Sequence, residues 1–446
     1  MTYPETIQYL ESFINYETIT EYPYKEAFKL ERIKNFLGAI GNPERELKCI
    51  HVAGTKGKGS TCAFIAYILR EAGFMVGLYT SPHLSDFRER IRILSHKVTK
   101  SQSQCVAKRS LPGGDKDFEG IIIEDELRLQ VERMQPAIEA YNSASEYGPL
   151  SFFEVYTALA LQYFKDKKVD FVVLETGLGG RLDATNAVNP LACVITPISL
   201  EHTQKLGNTI KEIAREKAGI IKSHKVTKSQ SHRLIVISAP QEKEAKQVIR
   251  EKCRECGAEL YEINKSGYPR FKIRLQGAHQ QINANVAVAV IKALRDYGIN
   301  ITKGAIEKGL YNTVWPGRCE VISRNPFVVL DGAQNIASAK AIKEAIRQNF
   351  RYKRLILVFG ISQDKDIRGV CGELKGLADE VILTKADNPR AANPNMLAAY
   401  FKDKPIYTSH GVKDAKEKAA AAATKDDLIL VTGSLFVVGE FRNDKR

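Results

Sequence analysis

The sequence predicts an α/β chain of two domains, each folded around a mostly parallel sheet, and three observations carry that prediction. Short apolar runs alternate with helical stretches over most of the length, as a parallel sheet covered on both faces requires. The alternation breaks at Trp315-Pro316-Gly317-Arg318 and then restarts. At 446 residues the chain is too long for one ordinary core. The expected division is 1–314 for a larger domain and 315–446 for a smaller, Rossmann-like one.

Taken in order, residues 1–47 read as helical. Tyr9, Leu10, Phe13 and Ile14, then Leu30, Ile33, Phe36 and Leu37, recur at helical spacing, and Gly41-Asn42-Pro43 ends the second helix. An apolar run, Cys49 to Ala53, opens onto Gly54-Thr55-Lys56-Gly57-Lys58-Gly59-Ser60-Thr61 and a helix former from Ala63 to Leu69. Strand, glycine turn and helix together place backbone N–H groups and a helix N-terminus where they hold phosphate. A strict P-loop differs at two positions, occupied here by Val52 and Gly59. Further strands are expected from Met75 to Thr80, Val169 to Leu174, Ala192 to Thr196 and Leu234 to Ser238. Helices are expected from Phe152 to Phe164, Asn208 to Ile220 and Gln241 to Glu255. Beyond Arg318 come strands at Phe327–Leu330, Leu355–Phe359, Val381–Thr384 and Leu428–Val431, with helices at Ser338–Gln348 and 413–424.

Hydrophobic content of 44% and charged content of 26% describe an ordinary globular composition. There is no basic-then-apolar leader and no apolar run long enough for a bilayer, so a cytoplasmic protein without a membrane partner is expected. Eight scattered cysteines form no framework and read as free thiols. Cys253-Arg254-Glu255-Cys256 lacks the second pair that a zinc site needs. The net charge of +14 has no aromatic interleaving, which favours a solvated basic surface or anionic substrates over nucleic acid. The segment from Ser95 to Ser103 recurs identically from Ser223 to Ser231; both copies read as polar loop insertions, near 95–117 and 223–232.

Ligands of a parallel sheet bind at the carboxyl ends of its strands. The polar residues there are Lys58, Ser60, Ser81, His83, Glu175, His202 and Asp331, a set suited to nucleotide phosphates and a divalent metal. Any one of them alone also fits a helix cap or a solvated loop. A second glycine-rich turn, Gly177 to Asn186, sets Arg181 and Asp183 beside Glu175. Lys217 shares the apolar helix face of Ile210 and Ile213; it is either a snorkelling stem or a desolvated amine.

These motifs resemble folylpolyglutamate synthase/dihydrofolate synthase, of the Mur ligase superfamily. The resemblance is carried by Gly54 to Ser60, Thr80-Ser81-Pro82-His83-Leu84, Phe87 to Ile91, Glu175 to Asp183, Leu206-Gly207, Glu216 to Ile220, His279-Gln280 and Asn283-Ala284. Trp315 to Arg318, Leu330 to Asn335 and Asp364-Lys365-Asp366 extend it into the second domain. It implies a Mur-ligase-type P-loop ATPase domain and an ATP-dependent amide ligase. Such an enzyme joins L-glutamate to dihydropteroate, or to the side-chain carboxylate of a reduced folate, through an acyl phosphate. Carried over by motif, Gly57, Lys58, Gly59 and Ser60 hold phosphates, and Asn283, Arg318 and Asp331 contact ATP. Ser81, Glu175 and His202 ligate magnesium, and Lys217 is carbamylated. Lys58, Lys217 and His202 are the catalytic set. Phe153, Glu154, Leu182, Asp183 and Ala184 lie on the substrate side. A monomer that closes about Trp315–Arg318 is expected. Three positions depart from the pattern: Lys56 for asparagine, Glu201 for aspartate and Gln334 for histidine. Two other readings stand beside this one, a different amino-acid ligase of the superfamily and a basic nucleic-acid-binding ATPase.

Overall fold

The computed structural model describes residues 1–19, 22–96, 118–223, 233–264 and 266–443; most of both duplicated segments lies outside them. Two sheets organise the chain. The first has seven strands, β1 Cys49–Ala53, β2 Val76–Tyr79, β3 Ile91–Leu94, β4 Phe171–Glu175, β5 Ala192–Ile195, β6 Ile235–Ser238 and β7 Glu259–Glu262, in the order β3-β2-β4-β1-β5-β6-β7. Only β3 runs antiparallel. The second has six, β8 Glu320–Arg324, β9 Phe327–Leu330, β10 Leu355–Phe359, β11 Glu380–Leu383, β12 Ile406–Thr408 and β13 Leu428–Thr432, in the order β12-β11-β10-β13-β9-β8. Here β8 is the antiparallel one. The chain crosses from one sheet to the other between Asn312 and Glu320.

Both faces of the first sheet are covered, so its central strands are apolar throughout rather than alternating. One face packs the helices Lys58–Glu71, Ala278–Ala293 and Lys303–Asn312. The other packs Leu30–Ala39, Glu124–Ala144 and Phe152–Asp166 near β2 and β4, and Ile210–Ala218 and Lys243–Cys256 near β5 and β6. In the helix after β1, Phe64, Ile65, Ile68 and Leu69 are fully buried. Each such side chain contributes roughly 2 kcal/mol relative to exposure, which anchors the helix whose first turn faces the crevice. The second sheet carries Ile336–Asn349 and Ile367–Lys375 on one face and Val412–Ala422 and Leu435–Asn443 on the other.

Register fixes the edge where ligands collect. Val52 of β1 lies opposite Glu175 of β4, and Leu174 lies opposite Tyr79 of β2. The turn after β1, the carboxylate ending β4 and Ser81 after β2 therefore share one edge. It lies where β1 has β4 on one side and β5 on the other, the switch point at which such sheets bind ligands.

Two residues of the first domain are seated in the second. Leu84, only 9% exposed, belongs to the apolar cluster of Leu330, Leu435 and Val438, and Phe118 packs against that cluster. Leu84 lies so close to Gly439 that a β-carbon there would come within 2.1 Å of its carbonyl oxygen.

Candidate active site

The turn after β1 is shaped by its glycines. Gly57 caps the helix Lys58–Glu71 in the left-handed region (φ 79), and a β-carbon on it would meet Asn283 Oδ1 at 2.3 Å. Any side chain here would be both strained and blocked. Gly59 faces the ring of Trp315, whose Cζ2 lies 3.0 Å from where a β-carbon would be. The helix begins at Lys58 itself, earlier than its apolar run suggested, so the free N–H groups of its first turn belong to the turn motif. Asn283 Nδ2 donates to Gln280 Oε1 (2.9 Å), and Gln280 Nε2 donates to the Ser60 hydroxyl (3.3 Å). Asn283 and Ser60 thus come together, with Gln280 between them.

Glu175 is buried, and burial pushes its carboxyl up while the nearby Lys58 ammonium opposes the shift. Its Oε1 lies 4.0 Å from Lys58 Nζ, and its Oε2 accepts from the Ser81 N–H (3.2 Å). His202 sits at φ 53, left-handed backbone that is costly for a non-glycine residue and is found where a side chain is held for a purpose. Burial lowers it to about 3, so the imidazole is neutral and offers a lone pair rather than a proton. A serine hydroxyl and a buried carboxylate suit a hard divalent ion, to which a neutral imidazole could add one nitrogen. Among the described residues no group of three or more His, Cys, Asp or Glu gathers. Such an ion would therefore complete its shell with phosphate oxygens and water, which is magnesium's usual habit.

Of the two alternatives open for Lys217, the structure selects burial. Its ammonium donates to Gly54 O (2.8 Å), and burial, reinforced by Lys58, lowers it to about 7. Desolvation raises the carboxyl of the half-buried Asp331 to about 6 against the pull of Arg318; it accepts from Cys319 N (2.8 Å) and Ala333 N (2.9 Å).

Between the sheets lies a cleft of about 1190 Å³, part of it open to solvent. Phe153, Leu178, Leu182 and Ala184 give it an apolar wall, and Tyr16, Tyr22 and Phe28 an aromatic one. Ser81 and His202 also line it, as do Lys365 and Arg390 from the second domain. A narrower recess runs from Ser81 and Glu175 to Gly59, Trp315 and Arg318.

Two of the expected substrate-side residues are engaged within the protein. Asp183 is fully buried and not part of the cleft lining; its carboxylate accepts from Thr185 N (3.0 Å), the Thr185 hydroxyl and Leu178 N (2.8 Å). It holds the second glycine turn in shape instead of facing solvent. Glu154 does line the cleft, yet both its oxygens are engaged, by Arg32 Nε at 2.8 and 2.9 Å and by Ser151 N and Oγ. Arg32 gave no sign in the sequence, because its partner lies 122 positions away. Arg390 was findable: it follows β11, at a strand's carboxyl end, and reaches across to Glu17 O (2.6 Å) and to Asp364 (2.7 Å).

A phosphate turn at a switch point, faced by a second α/β domain with cations on the shared cleft, defines a Mur-type ligase. Residues 151–291 match the Mur ligase middle domain and residues 317–435 the glutamate ligase domain. A Bacillus subtilis dihydrofolate synthase/folylpolyglutamate synthase is 33% identical over 93% of this chain and 94% of its own length. The chain belongs to the folylpolyglutamate synthase/dihydrofolate synthase family. Among solved structures, E. coli FolC in complex with DHPP and ADP is 28% identical, with a TM-score of 0.77 over 99% of this chain and 96% of that one. A bifunctional folylpolyglutamate synthase/dihydrofolate synthase with Mn, AMPPNP and L-glutamate bound gives 28% identity and a TM-score of 0.76 over 99% and 97%.

Proposed function

We propose that this protein uses ATP to join L-glutamate to dihydropteroate or to the γ-carboxylate of a reduced folate, acting as a cytoplasmic monomer with its two domains divided at 314/315. The cleft carries the proposal, because at Ser81 and Pro82 it adjoins the recess that reaches Gly59 of the phosphate turn, and it is walled by apolar rings and by cations of the other domain. Phe153, Leu182 and Ala184 suit a flat pterin, with Glu154 and Asp183 bracing that wall. Lys365 and Arg390 suit the carboxylates of glutamate or of a glutamyl tail.

An acceptor carboxylate oxygen attacks the γ-phosphorus while the bond to ADP breaks. The deprotonated glutamate amine then attacks the acyl carbon, and phosphate leaves. Charge collects on phosphoryl and acyl oxygens throughout, so cations preset around them lower the barrier. Lys58 with the N–H groups of Gly57 to Ser60, Asn283, and Arg318 with Asp331 would hold the nucleotide. Ser81, Glu175 and His202 would hold magnesium, which neutralises phosphate charge when bound.

Lys217 becomes a carbamate in this scheme. A buried amine lowered to about 7 is substantially neutral at physiological pH and can add CO₂ with loss of a proton. The product anion would lie near Lys58, relieving the repulsion between two ammoniums. Incubation with ATP, magnesium, L-glutamate and either dihydropteroate or tetrahydrofolate should yield ADP and an acceptor heavier by one glutamyl unit. Hydrolysis of ATP with neither acceptor extended would refute the proposal.

A further inference from the structure

We propose that Lys56 is a positioning residue: with Asn335 and Glu201 it forms a releasable latch that docks the second domain according to what occupies the phosphate turn. The inference builds on the ligase reading above and assigns a role to a lysine whose ammonium crosses to the second domain.

Two kinds of contact join the domains. One is the apolar seat of Leu84 and Phe118, with the Arg442 guanidinium 5.3 Å from the Phe118 ring. The other is polar: Arg390 reaches Glu17 O, and a second network stands beside the phosphate turn. Lys56 Nζ donates to Asn335 Oδ1, and Asn335 Nδ2 donates to Glu201 Oε1 (2.8 Å). Asn335 is the N-cap of the helix Ile336–Asn349, and its Oδ1 also accepts from Ser338 N (3.0 Å) and Ser338 Oγ (2.9 Å). One amide side chain therefore both starts a helix of the second domain and ties that start to two loops of the first.

Those two loops act as one body. The N–H groups of Thr55 and Lys56 both donate to Pro197 O, at 3.0 and 3.2 Å. The Thr55 hydroxyl bonds Ser199 O and accepts from Ser199 N, at 3.2 and 3.1 Å. Lys56 and Glu201 thus stand on a braced platform, and Asn335 is the part that can leave it.

Lys56 directly precedes Gly57, which caps the phosphate-facing helix. A polyanion arriving at that helix N-terminus competes with the Asn335 carbonyl for the Lys56 ammonium, because an ion attracts the cation more strongly than an amide dipole does. Nucleotide charge is thereby converted into a change at the first turn of the helix Ile336–Asn349. Gln334, which lines the substrate cleft, is adjacent to that turn.

The test pairs Lys56→Met with Asn335→Ser, since serine still caps the helix but is too short to reach both partners. Lys56→Arg serves as the conservative control. Hydrogen exchange of the amides from Asn335 to Ser338 is followed with and without a non-hydrolysable ATP analogue, and kcat/KM for glutamate is measured. Wild type and Lys56→Arg should show nucleotide-dependent exchange, and Lys56→Met and Asn335→Ser should lose it while still binding the analogue. Each single variant should lose about tenfold in kcat/KM for glutamate, and the double variant no more than either single, since partners in one contact are not additive. Additive losses overturn the latch, as does nucleotide-dependent exchange that persists in Lys56→Met. Failure of Lys56→Met to bind the analogue also overturns it, by putting Lys56 on the phosphates directly. If wild type ligates no glutamate, the ligase reading falls, and the exchange data still judge the latch.

Discussion

Replacing Lys217 by Met should stabilise the protein at neutral pH while abolishing ligation. The unfolded chain holds this proton up to pH 10.5, whereas the native amine releases it near 7. Between those values the unfolded state binds more protons, so stability rises with pH across that window. Each pH unit inside it is worth ~1 kcal/mol, and keeping the native amine charged below pH 7 costs a few kcal/mol, about 5 at most. Methionine fills the same space without the charge, and only the hydrogen bond to Gly54 O is lost. Urea denaturation in CO₂-free buffer at pH 7, 8 and 9 measures the effect. Lys217→Met should be the more stable protein at pH 7, and the gap should narrow by about 2 kcal/mol by pH 9. Comparing wild type with the variant removes the parallel contributions of Lys56, Lys205 and Lys222, which burial lowers to about 8. A gap independent of pH would refute the burial argument. Added bicarbonate should erase the gap in wild type and add the mass of one CO₂ to it; a mass that stays unchanged would remove carbamylation.

Three further outcomes follow from the site. Lys58→Ala should reduce ADP formation by roughly a thousandfold, because it removes the cation proposed to hold the phosphates, which lies 4.0 Å from Glu175; near-normal turnover would sink its assignment. Gly59→Ala should displace the Trp315 ring and raise the KM for ATP severalfold. Trp315 is the only tryptophan, so its emission should shift without any label, and an unchanged spectrum would contradict the contact. Arg32→Ala should destabilise by about 3 kcal/mol in urea by leaving the Glu154 carboxylate buried and unpaired, with Arg32→Ala/Glu154→Gln recovering part of the loss. Equal losses in both variants would mean the charge pairing is not the cause.

The central strands were legible because both faces of each sheet are covered, which writes them as unbroken apolar runs such as Phe171 to Leu174 and Leu355 to Phe359. The edges were not. β7 alternates exposed and half-buried residues, β12 is three residues long, and β3 and β8 are antiparallel edge strands that carry Arg92 and Glu320, Ser323 and Arg324. The helix Glu124–Ala144 escaped notice because it is mostly polar and contains Pro136. At the candidate site, the strand-end rule picked out Ser81, Glu175, His202 and Asp331, whose chemistry is local to the residue. It missed what depends on distant partners: the Arg32–Glu154 pair, the Gln280 link to Ser60, and the role of Asp183 as a brace.

Leu84 and Phe118 also bear on how far this chain can be taken apart. The second sheet resembles a self-contained module, yet its helix Leu435–Asn443 is completed by side chains contributed from more than two hundred residues upstream. A polypeptide starting at residue 315 would have an empty apolar socket beside Gly439, and should be sticky and poorly soluble by itself. Grafting this module onto another ligase would need a leucine and an aromatic ring delivered at the same two places. The piece that can be moved intact is larger than the piece the second sheet defines.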